Sequence, residues 1–186
     1  MNSLLLLALA FVLDAAMGEP KWLWSRMPHP AVLMGRVISI LDHALNHAEM
    51  QRAKGVVALL ALVILAGVIG WLLQQLGAAV TVVIAAILLA QKSLVDHVSA
   101  VATGLRQSDE AGRKAVAMIV SRDVSVSDCS ATSRSAIESL SENLSDGGIA
   151  PAFWFAIAGL PGSAIYKAVN TADSMIGYRT PLYAAF

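Results

Sequence analysis

The sequence predicts an all-α integral membrane protein, a transmembrane hairpin with a polar helical segment beside it in the cytoplasm. Three observations carry that class. The 186 residues are 57% hydrophobic and 14% charged, with mean hydropathy +0.67, whereas soluble domains run at roughly 45–50% apolar and about 25% charged. Residues 55–73, GVVALLALVILAGVIGWLL, carry no charge or strongly polar side chain, and a bilayer-crossing helix needs about 20 such residues. A second run, AAVTVVIAAILLAQKSLV, begins at Ala78, just past Gln74-Gln75-Leu76-Gly77.

In chain order, the N-terminal segment (1–20) contains NSLLLLALAFVLDAAMG. It lacks the basic n-region of a secretory signal, and Asp14 interrupts its far end, so it reads as a short first span or half-inserted helix, with a cleaved signal as the alternative. Residues 55–95 form the hairpin. Gln91, Lys92 and Ser93 lie near one end of its second arm, where a lysine can snorkel to the interface. Ala66 and Gly70, four apart, suit close helix packing in lipid. Lys21, Arg26, Arg36, Arg52 and Lys54 precede the hairpin, and Lys92, Arg106, Arg113, Lys114, Arg122 and Arg134 follow it, while its turn has no Lys or Arg. The positive-inside tendency therefore places both basic segments in the cytoplasm and the turn outside. The remainder, 96–186, is the polar segment expected to carry chemistry. Within it, 149–165 is apolar but short, with Pro151 at one end and Gly159-Leu160-Pro161-Gly162 at the other. It reads as a re-entrant or interfacial helix, which would return Lys167 to the cytoplasm. Residues 1–186 thus form one membrane domain.

Several function classes are disfavoured. Thirteen basic residues balance thirteen acidic ones, which gives no nucleic-acid footprint. The lone Cys129 excludes an internal disulfide. There is no P-loop, G-x-G-x-x-G or H-E-x-x-H motif. His43 and His47 are four apart, but no third metal ligand is evident nearby, and they read as part of a wet helix face.

Three blocks could carry chemistry. SRDVSVSD, from Ser121, is either an anion-binding loop with Arg122 as its fork, or a solvated connector before a helix capped by Ser135 and Glu138. In AIESLSENLSDG, Ile137, Leu140, Ser141 and Leu144 make a narrow apolar helix face. Arg134, Glu138, Glu142 and Asp146 make another, with Asn143 beside it. Carboxylates four apart repel by a few tenths of a kcal/mol per pair, which solvent, an arginine or a cation must offset. Mg2+ would suit them, since it takes carboxylate and amide oxygens and bridges to phosphate; a surface helix with an Arg134–Glu138 salt bridge is the alternative. In AIYKAVNTADSMIGYRTP, Lys167, Asn170, Thr171 and Ser174 form a polar stripe, with Asp173 next to it and Arg179 just beyond. The stripe could meet phosphate or carboxylate, or simply face solvent.

SRDVS, AIESLSENLSDG, APAFWFAIAGLPG and YKAVNTADSMIGYRTP closely resemble the CobD/CbiB family, membrane proteins of cobalamin biosynthesis that act as adenosylcobinamide-phosphate synthases. DAAMGEP at 14–20 and HPAVLMGR at 29–36 resemble the family's opening, so the likeness runs along nearly the whole chain. Family members continue past this point with further apolar segments, so the chain is expected to lack their C-terminal part. The AmpE-like branch shares the architecture without the corrinoid role, and the motifs argue against it. The resemblance implies an ATP- and Mg2+-dependent amide ligation of adenosylcobyric acid with (R)-1-amino-2-propanol or its O-phosphate. It further implies Glu138, Glu142, Lys167 and Asp173 as catalytic groups, with Glu138, Glu142 and Asp146 as metal ligands. Ser121, Arg122, Asp123, Asn143, Asn170, Thr171, Ser174 and Arg179 would hold substrate and phosphate. Expected partners are the corrinoid, the aminopropanol, membrane lipid, and further copies of the chain or other membrane proteins of the pathway, in the inner membrane with the site facing the cytoplasm. A non-catalytic corrinoid carrier or signalling protein is the rival class; the hairpin has almost no charge, which counts against a transport path.

Overall fold

The computed structural model describes residues 2–18, 20–47, 50–120 and 122–186. Among them every regular element is a helix: α1 (Ser3–Met17), α2 (Lys21–Trp24), α3 (Pro30–Leu45), α4 (Gln51–Gln75), α5 (Ala78–Leu88), α6 (Gln91–Gln107), α7 (Asp109–Val116), α8 (Cys129–Leu144), a π-helical turn (Ser145–Ile149) and α9 (Ala150–Ile176). By length and composition, three helical stretches could cross a membrane: Gln51–Gln75, Ala78–Gln107 and Cys129–Ile176. Along α4, Val57, Leu60 and Ile64 stand exposed, an arrangement that lipid accommodates and water does not. The chain is an all-α membrane protein.

The two arms of the expected hairpin find their main partners elsewhere. α4 runs antiparallel along α9, with Leu62 and Ala66 buried against Ala168 and Ala172. Ala66 and Gly70 do serve a close helix approach, but to α9: a Cβ on Gly70 would lie 2.8 Å from Pro161 Cα. α5 packs on α1, with Ala10, Ala85 and Ala86 in one buried cluster. The second arm also differs from the expected continuous helix over 78–95. Leu89 is extended (φ −81°, ψ 149°), so α5 ends after 11 residues, roughly 16 Å, and α6 starts anew at Gln91.

A buried carboxylate and a half-buried amide cap the broken helices from outside. Asp14, 4% exposed on α1, accepts a hydrogen bond from the Lys92 backbone N–H at 3.1 Å, in the first turn of α6. Gln74 Oε1, at the end of α4, accepts from the Leu160 N–H at 2.8 Å. That N–H opens the second arm of α9, because Gly159 breaks the helix (φ 65°, ψ −154°) in backbone territory essentially restricted to glycine. Here the chain folds back on itself. A Cβ on Gly162 would sit 2.4 Å from the carbonyl oxygen of Trp154, and Tyr166 Oη reaches Asp146, twenty residues earlier, at 3.1 Å. Lys167 and the π-turn are thereby brought to the same side. Replacing Asp14 with Ala removes a first-turn acceptor in a dry site, and the expected loss is about 1–2 kcal/mol. Thermal unfolding in detergent checks this; Asp14→Asn, which keeps an acceptor, should recover most of it.

Helices α6, α7 and α8 build a polar cap around Val101, Val116, Val124 and Ala136. α8 begins at Cys129, and its cap is Asp128, whose carboxylate accepts from the Ala131 N–H at 2.7 Å. The expected Ser135–Glu138 capping box does not form, since Ser135 lies buried mid-helix. The buried face of α8 is also not the apolar one expected. Thr132, Ser135, Ala136 and Ser139 face inward, while Ile137 and Leu144 are exposed. These small side chains let α8 lie close against α6 and α7.

Candidate active site

The site forms where the polar cap meets the second arm of α9. Ser139 on α8 donates to the Ile119 carbonyl at 2.8 Å, fixing α8 to the segment after α7. Asn143, one turn on, donates to the Ser139 carbonyl at 2.8 Å and to its Oγ at 3.2 Å. The π-turn follows at once, and its Gly147 carbonyl accepts from the Ala90 N–H at 2.9 Å, stitching α8 to the α5–α6 break. π-turns inside helices recur at functional sites because the extra residue re-aims the neighbouring side chains. Here the turn carries Asp146, which accepts from Tyr166. Its backbone carbonyl accepts from Lys167 Nζ at 3.4 Å.

These elements enclose a cleft of about 280 Å³. Its walls carry three carboxylates (Glu138, Glu142, Asp146), two cations (Arg122, Lys167) and the polar Asn143, Asn170 and Ser174. Eight of the thirteen residues singled out from the sequence thus line one cavity. Glu138 pairs with Arg122, which lies on the segment before α8. The alternative Arg134–Glu138 bridge is not made; Arg134 donates to Ser130 at 3.1 Å. The repulsion between the carboxylates is therefore offset by an arginine distant in sequence and by the adjacent lysine.

The other residues lie elsewhere. Asp173 and Arg179 line a separate, mostly apolar cleft of about 490 Å³ between α3, α4 and the end of α9. Position 173 lies about 120° round the helix from Lys167 but only about 60° from Asn170, and it is the packing of α3 and α4 on that side that places it in the other cleft. Thr171 donates to its own helix, to the Lys167 carbonyl at 2.7 Å. Asp123 accepts from the Ser125 N–H at 2.9 Å, and that bond holds its carboxyl below the usual range. Ser121 lies outside the described residues. His43 bonds the Ser39 carbonyl at 2.7 Å through Nδ1, and among the described residues no three His, Cys, Asp or Glu side chains gather as a ready-made metal cage. Near the second cleft, partial burial and then the Asp42 carboxylate push the Tyr183 hydroxyl above its ordinary value.

A family model described as CobD/Cbib protein matches residues 7–186. The chain belongs to the CobD/Cbib family. Among the relatives of this CobD/Cbib chain, the cobalamin biosynthesis protein CobD of Rhizobium meliloti (strain 1021) is 50% identical over 195 residues, covering 98% of this chain and 60% of its own length. The protein of the same name from Brucella suis biovar 1 has the same identity and coverage, and that from Rhodobacter capsulatus is 41% identical, covering all of this chain and 62% of its own. The chain thus spans about 60% of the length of these relatives. No solved structure matches it.

Sequence reasoning missed three contributors to the CobD/Cbib cleft: Ser139, the Gly147 carbonyl and Ala90. None has a side chain that advertises chemistry, and their role follows from the π-turn and the helix break, which leave no local sequence mark. Asp14 did leave one, as the single charge in an otherwise apolar run.

Proposed function

We propose that the chain provides the reaction centre for a step of cobalamin biosynthesis, the ATP-dependent joining of a propionate of adenosylcobyric acid to (R)-1-amino-2-propanol or its O-phosphate. The observation that carries this reading is the cleft itself, where three carboxylates, two cations and two amide side chains line one cavity. Family membership and the names of the relatives supply the substrate class.

The donor chemistry fits Mg2+, which is content with one or two carboxylates when substrate phosphates and water complete its shell. Glu138 is engaged by Arg122, so Glu142 and Asp146 are the carboxylates that would hold the ion. When bound, Mg2+ neutralises charge on the nucleotide phosphates. The protein's own part is positioning and further neutralisation, which dominate phosphoryl transfer. Arg122 and Lys167 meet phosphate oxygens, while Asn143, Asn170 and Ser174 orient substrate. The propionate oxygen takes the γ-phosphoryl group and ADP leaves. The amine nitrogen then attacks the activated carbonyl carbon and phosphate leaves, the amine's proton passing to a cleft carboxylate. The cleft faces the cytoplasm at the inner membrane; the Lys and Arg bias supports this, as does the reversal at Gly159, which keeps Lys167 on the side of α8.

Membranes carrying the chain, supplied with adenosylcobyric acid, aminopropanol O-phosphate and MgATP, are expected to yield the amide together with ADP, as read by mass spectrometry. Corrinoid accumulation in proteoliposomes without amide would overturn this reading in favour of a carrier.

A further inference from the structure

A second chamber, of about 540 Å³, adjoins the polar cleft. The two share a wall that includes Ala90, Ser139 and Asn143. The chamber's own lining is Ser93, Leu94, His97 and Met118, so it is less charged than its neighbour. His97 plays no part in the chemistry above, yet its ring is set in a defined way. Its Nδ1 lies 2.7 Å from the Ser93 backbone carbonyl. A carbonyl only accepts, so in the neutral ring Nδ1 carries the hydrogen and Nε2 carries the lone pair. Histidines that ligate metals are commonly held in this manner, with the second ring nitrogen donating to a carbonyl or carboxylate.

Resting on the ligase reading, we propose that this chamber seats the corrin ring, with Nε2 of His97 bound to the open axial position of its cobalt. In adenosylcobyric acid the adenosyl group occupies one axial face, and the other is free for a nitrogen donor. The bond forms by ligand exchange: Nε2 takes a position that is vacant or held by water, any water leaves intact, and the cobalt neither gains nor loses electrons. The shared wall sets the ring beside the charged cleft, so that a propionate at its edge enters among Glu142, Asp146 and Lys167. The size of the chamber and its mixed lining suit one face of a ring whose periphery carries methyl groups and amides.

The test is a titration of the purified chain in detergent with adenosylcobyric acid alone, followed by visible absorption. For the wild type, binding should move the corrinoid band to longer wavelength, as replacing a weak axial ligand by imidazole does. His97→Ala should lose the shift and bind roughly tenfold or more weakly, and adding free imidazole should restore the shift. His97 is solvent-exposed on α6, so the variant should remain folded, as its thermal melt will show. Wild-type binding without a band shift would overturn the role of His97 and leave the ligase reading standing. A His97→Ala defect confined to MgATP would reassign the chamber to the nucleotide and overturn the proposal too. Failure of the wild type to bind any corrinoid would overturn both.

Discussion

Glu142→Gln is expected to leave the protein folded and to lower amide formation by at least about a hundredfold, the cost typical of removing one group that meets charge in the transition state. Glu142 is exposed on the last turn of α8, and exchanges at such positions usually change stability by less than about 0.5 kcal/mol. Glutamine keeps the volume and one oxygen but removes the negative charge. It is the charge that a hard cation and its bound phosphates require. Glu138→Gln should behave differently. Its carboxylate is bonded to Arg122, so its loss also frees the guanidinium, and substrate affinity should fall together with turnover. Initial rates over a range of Mg2+ and ATP concentrations separate the two variants. Equal effects from both would argue that the carboxylates act as one undifferentiated negative patch.

Gly70→Val is expected to destabilise the helical core by about 3 kcal/mol, at the upper end of the usual cost of overpacking. The new Cβ would meet the chain of α9, at 2.8 Å from Pro161 Cα and 3.1 Å from the Leu160 carbonyl oxygen. These are backbone atoms, held where they are by Gln74 and by the turn at Gly159, so they have little room to retreat. Gly67→Ala on the same helix is the informative comparison. Its Cβ would lie 3.2 Å from Ile165 Cδ1, the far end of a side chain that can rotate away, and the expected loss is under about 1 kcal/mol. Thermal unfolding of both variants in one detergent reads the contrast. Since α9 also carries Lys167 and Asn170, Gly70→Val should impair any activity of the cleft in proportion to the folded protein lost.

Helical class and polar clustering were legible in the sequence because both rest on short-range pattern: long apolar runs for the membrane helices, and charges at helical spacing for α8. What was illegible came from contacts distant along the chain. Glu138 finds Arg122 rather than Arg134 because the segment before α8 folds back over it. Asp173 and Lys167 are six residues apart on one helix yet line different clefts, and only the packing of α3 and α4 on one side and α8 on the other tells them apart. The break at Leu89 was hidden inside a run apolar enough for a continuous helix, since the side chain that caps its far end, Asp14, belongs to α1. Ile137 and Leu144 misled for a related reason. Apolar residues at helical spacing promise a buried face, but the side of α8 that packs on α6 and α7 is lined by Thr132, Ser135, Ala136 and Ser139 instead.

Binding of Mn2+ in the presence of a non-hydrolysable ATP analogue, followed by electron paramagnetic resonance, tests most directly whether the cleft between α8 and α9 is the reaction centre. Wild type and Asp173→Asn should bind the ion alike, whereas Glu142→Gln should lose it. Retention of wild-type affinity by Glu142→Gln, or loss of the ion in Asp173→Asn, would contradict the account and direct attention to the cleft between α3, α4 and α9.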